Sequence, residues 1–254
     1  MNSKELDAAL DAAEAAATVI RSLYQRNLAV HTKADATPVT EADVKAEEAI
    51  RSILTERFPS YGFYGEETGQ QAMDAENLWL VDPIDGTKSF VRESPFFSTQ
   101  IALMRKGRLV LGVSSAPVYG ELAWAEEGAG AHLNGRRIHV SSMAEFAGVT
   151  LSTGNLKTLA RSPQWAKFGE LIPRVSRVRG YGDFVHYHLL ARGSIDVVIE
   201  SDVNILDIAA LTVIVREAGG TFTDLRGGEV GLDTTSVLAT NGKLHAKIAE
   251  ALQA

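Results

Sequence analysis

Four acidic residues stand where apolar runs begin or end. Glu66 follows the strand-like Tyr61-Gly62-Phe63-Tyr64 and Gly65; Asp82 ends the apolar run Leu78-Trp79-Leu80-Val81; Asp85 comes three residues later across Pro83; Asp207 opens a helical pattern. Element ends are where a scaffold can hold functional groups toward a cleft. Asp82 and Asp85 are the most informative pair. Two carboxylates this close repel unless a cation lies between them. Pro83 fixes its own φ and removes a donor, so the strand is expected to stop there and to leave the Ile84 carbonyl free to face a cation. Mg²⁺ takes oxygen ligands of this kind in near-octahedral geometry. Gly86-Thr87 then opens a short helix whose free amides suit an anion. Carboxylates for metal and amides for phosphate thus fall within one short run, the equipment of two-metal phosphoryl transfer. Taken singly, an Asp-Gly is a turn, Glu66-Glu67 is a solvated surface, and Asp207 is a helix cap. Their order, after an apolar strand, raises the chemical reading above these.

The elements that must position these groups follow from periodicity. Residues 3–27 read as an amphipathic helix on Leu6, Leu10, Ile20 and Leu23. After a polar segment, His31 to Pro38, Thr40 and Asp43 form an approximate capping box for a second helix, with Val44, Ala49, Ile50, Ile53 and Leu54 as its buried stripe. Phe97 to Met104, Leu109 to Ser115 and Glu121 to Ala125 read as an antiparallel meander. The second half alternates: strands over 175–178, 195–200, 221–223 and 237–240, and helices over 183–192, over 207–218 with a Gly219-Gly220 stop, and from about Lys243. Helices before and after mixed strands predict a layered α/β sandwich. The chain is expected to be one domain over 1–254, with a possible subdivision near 145.

The whole chain sets limits. It has 254 residues, 45% apolar and 22% charged, as an ordinary globular protein does. Lys plus Arg is 25 against 32 Asp plus Glu, a formal charge of −7. That surface does not favour nucleic acid or an anionic membrane, and a phosphate-bearing substrate must be met by local positive charge such as bound cations. With no cysteine, disulfides, thiolate metal sites and cysteine nucleophiles are excluded. The charged N-terminus is not a secretory signal, and no run is long and apolar enough to span a membrane; the expected location is the cytoplasm.

Trp79-Leu80-Val81-Asp82-Pro83-Ile84-Asp85-Gly86-Thr87-Lys88-Ser89-Phe90, then Asp207-Ile208-Ala209-Ala210 with Glu217-Ala218-Gly219-Gly220, and Gly65-Glu66-Glu67 upstream, resemble the inositol monophosphatase superfamily. The resemblance runs from about Lys33 to the C-terminal helix. It implies an αβαβα sandwich of the inositol monophosphatase / fructose-1,6-bisphosphatase type, commonly a homodimer. It implies two or three Mg²⁺ ions on Glu66, Asp82, Asp85, Asp207 and the Ile84 carbonyl. Glu66 and Thr87 would activate the attacking water, with Asp85 among the catalytic carboxylates, and the Gly86 and Thr87 amides would hold phosphate. No phosphoenzyme is expected. One departure is Leu206, where the family usually carries Trp before the helix-opening Asp.

Within the superfamily the chain is most similar to bacterial histidinol-phosphate phosphatases, on Arg179-Gly180-Tyr181-Gly182-Asp183-Phe184, Ser194-Ile195-Asp196 and Thr37-Pro38-Val39-Thr40-Glu41-Ala42-Asp43. The amine of histidinol phosphate needs a carboxylate partner once out of water. Asp183 and Glu200 are the candidates, with Asp207 also facing substrate; the alternatives are a helix cap for Asp183 and a surface position for Glu200. His186 and His188, two apart on a helix, face different ways and are read as structural. Lys33 is read as a solvated loop lysine. The competing functions are an inositol 1-phosphate or broad sugar-phosphate phosphatase and, more remotely, a non-catalytic metal-binding regulator.

Overall fold

The structure is a computed structural model and describes residues 2–26, 30–32 and 38–253. Ser3 starts the first helix: its hydroxyl accepts the Leu6 amide, and α1 runs over Lys4–Leu23. Ala8, Ala9, Ala12, Ala13 and Ala16 are buried along it beside Leu6 and Ile20, so the neighbouring helix packs close. A two-stranded ribbon, β1 (Val30–Thr32) and β2 (Pro38–Thr40), leads into that helix, α2 (Glu41–Arg57). Thr40 and Asp43 form the expected capping box, a device worth about 1 kcal/mol. The buried stripe differs from the expected one. Val44 is 38% exposed, and the inward face is Ala42, Ala46, Ile50 and Leu54 together with Asp43 and Glu47. Two carboxylates share the buried face, so apolar periodicity alone misplaces it.

The first sheet contains β3 (Gly62–Gly65), β4 (Gly69–Gln71), β5 (Asn77–Asp85), β6 (Ser98–Arg105), β7 (Arg108–Ala116), β8 (Glu121–Glu126), β9 (Gly130–Leu133) and β10 (Arg136–Ile138), with a short helix α3 (Thr87–Val91) after β5. Its order is β10-β9-β8-β7-β6-β5-β3-β4. Only the β3–β5 pair is parallel, so the meander is antiparallel as its turns predict. β5 does not stop at Asp82-Pro83. Its register against β6 shifts between Asp82 and Asp85, and pairing resumes at Asp85 opposite Ser98. An irregularity of this kind is where a strand tolerates proline, and Thr99 Oγ1 donates to the Pro83 carbonyl at 2.8 Å.

The second half supplies β11 (Thr150–Thr153), α4 (Gln164–Leu171), β12 (Arg177–Arg179), α5 (Asp183–Ala191), β13 (Val197–Ser201), α6 (Ile205–Glu217), β14 (Thr221–Thr223), β15 (Ser236–Thr240) and α7 (His245–Gln253). The strands form a mixed sheet in the order β12-β11-β13-β15-β14. β11 and α4 escape sequence reading because the strand is short and the helix is broken off by Pro173. The chain passes from one sheet to the other between Ile138 and Thr150, bracketing residue 145.

Three apolar clusters separate five layers. Leu6, Ile20, Ile50 and Leu54 of α1 and α2 pack on Trp79, Val81 and Ile101 of the first sheet. The other face of that sheet, through Leu80 and Ala102, meets α5 and α6, which also cover Val198 and Ala239 of the second sheet. The far face of the second sheet, Val197 and Ile199, is closed by α4 and α7. The result is the expected αβαβα sandwich. No described helix is long and apolar enough to cross a membrane.

Candidate active site

Asn204 caps α6 by accepting the Leu206 amide at 2.7 Å. In return its backbone amide and its side-chain amide each donate to Asp207, at 2.8 Å, one to each oxygen. Asp207 is thereby fixed at the start of α6. Asp82 is buried at the bulge of β5 and accepts the Ile84 amide at 2.9 Å. The two sites meet: Asp82, Asp85 and Asp207 offer ligand oxygens that all lie within 4.8 Å of one another. Glu66 opens onto the same cavity, of about 390 Å³, with Ile84, Gly86 and Thr87. The Glu66 amide donates to Val81, which ties its loop to β5.

Crowding shows in the titration of these groups. Burial pushes the Asp82 carboxyl well above the usual carboxylate range, and Glu66, Asp85 and Asp207 add to it. Asp85 is raised likewise, by burial and then by Asp183 and Asp207. Asp207 is pushed up to about 7, chiefly by burial; the Asn204 amide opposes this, while Glu66 and Glu200 reinforce it. Two like charges 4 Å apart repel by roughly 4 kcal/mol at an effective dielectric constant near 20. An all-oxygen donor set of this charge fits a hard divalent cation. Asp82, Asp85 and Asp207 would hold it, with Glu66 and the Ile84 carbonyl on the same wall.

Two further acids hold this wall from behind, and sequence reading missed both roles. Asp43, read only as part of a cap, accepts Thr87 Oγ1 at 3.1 Å with the oxygen that Thr40 leaves over. Thr87 Oγ1 also lies 3.0 Å from the Ile84 carbonyl. One turn along α2, buried Glu47 accepts the amides of Glu67 at 2.8 Å and Thr68 at 2.6 Å, which sets the Glu66 turn. Gly65 makes room for this: a Cβ there would fall 2.2 Å from Glu47 Oε1. The signal was present, because acids four apart on one buried helix face repel unless each has a partner. Gly86 takes φ +88°, and a Cβ would sit 2.8 Å from the Phe96 carbonyl. The Thr87 and Lys88 amides head α3 and have no intrahelical acceptor.

Asp183 and Glu200 line one recess that adjoins the cavity, with Thr153, Asn155 and Tyr181. Asp183 is not a cap. It is the first residue of α5, after Gly182, and makes no capping hydrogen bond. Its φ is +45°, a left-handed conformation rare outside glycine. Burial and then Glu200 push its carboxyl up to about 6, with His186 and Lys88 pulling the other way. Glu200 is buried, not on the surface. It accepts the Asn155 amide at 3.1 Å and Tyr187 Oη at 2.7 Å, and lies 3.1 Å from His186 Nε2. Burial raises its carboxyl, but His186, Tyr187 and Asn155 outweigh that and hold it below its ordinary value. His188 is bound between Glu121 and Ser114, so both histidines sit in buried hydrogen-bond networks. Leu206 packs into the central core. Lys33 and Thr37 lie outside the described residues.

The family model of the inositol monophosphatase family matches residues 1–254. The chain is 42% identical over 233 residues to the histidinol-phosphatase of Mycobacterium tuberculosis, covering 90% of this chain and 89% of that one. It is 35% identical over 233 residues to the inositol-1-monophosphatase of Mesorhizobium japonicum, with 90% and 87% covered. Its fold superposes on the extragenic suppressor protein SuhB of Bartonella henselae with a TM-score of 0.91 at 32% identity, over 99% of each chain. The chain is a phosphoric monoester hydrolase and belongs to the inositol monophosphatase family.

Proposed function

We propose that the protein hydrolyses L-histidinol phosphate to L-histidinol and inorganic phosphate with Mg²⁺, in two or three sites, a step of histidine biosynthesis. The observation that carries the choice of ester is Asp183. Its carboxylate is half-buried between the phosphate cavity and the recess, has no hydrogen-bond partner among the described residues, and sits on strained backbone. Strain of this kind persists where surrounding structure imposes it, most often at functional sites. An amine on the leaving group would satisfy that carboxylate. Glu200, whose oxygens already accept hydrogen bonds, lends its charge to the recess. The histidinol-phosphatase name of the 42%-identical relative supports the same reading.

Divalent cations supply the positive charge that a phosphoryl group requires and that the carboxylates lack. The chain's own groups do the rest. The amides of Gly86 and Thr87 orient the phosphate. Thr87 Oγ1, whose proton is directed to Asp43 or to the Ile84 carbonyl, offers its lone pairs to a water. Glu66 across the cavity takes a proton from the same water. Attack in line with the ester oxygen then breaks the ester P–O bond, and the departing oxygen takes a proton back from Glu66 or from solvent and leaves as the alcohol, without a phosphoenzyme. The family resemblance further leads us to propose a cytoplasmic homodimer, which a solution mass of two chains would support.

A phosphate-release panel with Mg²⁺ tests the reading, comparing histidinol phosphate, inositol 1-phosphate and fructose 1,6-bisphosphate. Histidinol phosphate is expected to give the highest kcat/KM. The second reading, inositol 1-phosphate, is favoured by the relative of that name at 35% identity. A higher kcat/KM on inositol 1-phosphate would establish it and remove the amine assignment.

A further inference from the structure

The cavity has a charge imbalance that its carboxylates do not resolve. Glu66, Asp82, Asp85, Asp183, Asp202 and Asp207 line it, and Lys88 is the one cation among its described lining residues. Lys88 stands next to Thr87 on α3 and is exposed to solvent. Elsewhere among the described residues four lysines pair with acids: Lys45 with Glu41, Lys106 with Glu76, Lys167 with Glu170 and Lys247 with Glu145. Lys88 forms no ion pair or hydrogen bond among the described residues, although acids surround it. Its charge is nonetheless close enough to Asp183 to favour the ionised carboxylate.

We propose that Lys88 is a substrate-binding residue whose ammonium takes a phosphoryl oxygen on the side of the phosphate turned away from the metal carboxylates. A monoester dianion has three terminal oxygens, and Asp82, Asp85 and Asp207, whose ligand oxygens lie within 4.8 Å of one another, would hold cations on one side of it. A lysine is a compact charge on a flexible stem, suited to meeting phosphate from another direction. Charge-assisted hydrogen bonds of this type are about twice as strong as neutral ones. Lys88 and Asp183 then make a dipolar mouth, cationic toward phosphate and anionic toward the leaving group. That polarity matches an ester carrying an amine a few bonds from its phosphate. The inference rests on the reading of this cavity as a phosphate site and not on the choice of ester.

The test compares wild type, Lys88→Met and Lys88→Arg, each loaded with Mg²⁺, using inorganic phosphate as a calorimetric ligand and as a competitive inhibitor. Lys88→Met is expected to weaken phosphate binding roughly tenfold and to raise KM by a similar factor for every monoester, with kcat within about threefold, the pattern of lost uniform binding. Lys88→Arg should recover most of both. Equal melting temperatures would show that the fold is intact, as the exposed position predicts. Phosphate binding to Lys88→Met within twofold of wild type would overturn the proposal, and so would a fall in kcat with phosphate binding unchanged. A wild type that binds phosphate through Lys88 but turns over no ester would break the hydrolase reading and leave this inference standing.

Discussion

Thr87 Oγ1 lies 3.1 Å from Asp43 Oδ1, so the residue that completes the capping box of α2 also steers a hydroxyl that lines the acidic cavity. The other Asp43 oxygen is occupied by the Thr40 amide at 2.8 Å and the Thr40 hydroxyl at 2.6 Å. Burial holds the Asp43 carboxyl above its ordinary value, and those donors offset only part of the rise. Asp43→Asn turns an amide donor toward either Thr40 or Thr87, where acceptors are needed. It should lower kcat roughly 10- to 100-fold, the usual loss for a partner that orients a reacting group, with KM little changed. Thr87→Ser should keep most activity and Thr87→Val should not. An Asp43→Asn enzyme within threefold of wild-type kcat would remove Asp43 from the mechanism.

Asp82→Asn separates function from folding. The Asp82 oxygen that accepts the Ile84 amide has an equivalent in asparagine, so the bulge keeps its hydrogen bond. The substitution deletes a buried charge that Glu66, Asp85 and Asp207 oppose. Activity should fall by more than tenfold, because a ligand of the cation is lost. The melting temperature in EDTA should hold steady or rise. A marked drop in metal-free stability would mean that Asp82 serves the fold rather than the cation.

The acid cluster also sets a pH dependence. Asp207 is raised to about 7 and Asp183 to about 6 in the metal-free fold, against about 3.9 in an unfolded chain. Between those values the folded protein binds more protons than the unfolded one, so metal-free stability declines as pH rises from about 4 to about 7. Cations that bind only the folded state reverse this. In EDTA the melting temperature should fall by about 5 °C or more between pH 5 and pH 8, and saturating Mg²⁺ should flatten the profile. A metal-free profile that rises over that interval would contradict the crowding of the carboxylates.

Much of the site was readable because its chemistry is local. Asp82, Asp85, Gly86 and Thr87 fall in one run, and a strand followed by proline and glycine admits few backbones. Asp207 was readable as the acid that opens an apolar helix. What stayed hidden depends on distant partners. Asp43 read only as part of a cap and nothing in the apolar pattern singled out Glu47, because it is the packing of α2 that turns them toward Thr87 and the Glu66 turn. Pro83 suggested a strand end, but β6 across the bulge supplies Ser98 opposite Asp85 and carries β5 on. Glu200 could be named as a candidate without its setting, since the hydrogen bonds that bury it come from α5 and the loop after β11.

Asp183 is where stability and specificity should part. Its φ of +45° costs an aspartate about 1 kcal/mol relative to glycine, and its carboxylate is half-buried beside Glu200. Asp183→Gly removes both burdens. It should raise the melting temperature by about 2–4 °C, the shift that roughly 1 kcal/mol produces in a chain of this size. The same change takes away the proposed partner of the substrate amine. Turnover of histidinol phosphate should therefore fall at least tenfold in kcat/KM, while inositol 1-phosphate, which has no amine, should lose far less. Asp183→Asn, which tolerates the left-handed backbone but carries no charge, should show the same substrate split with a smaller gain in stability. Equal losses on both esters in either variant would remove Asp183 from amine recognition and leave its strained backbone without a functional reason.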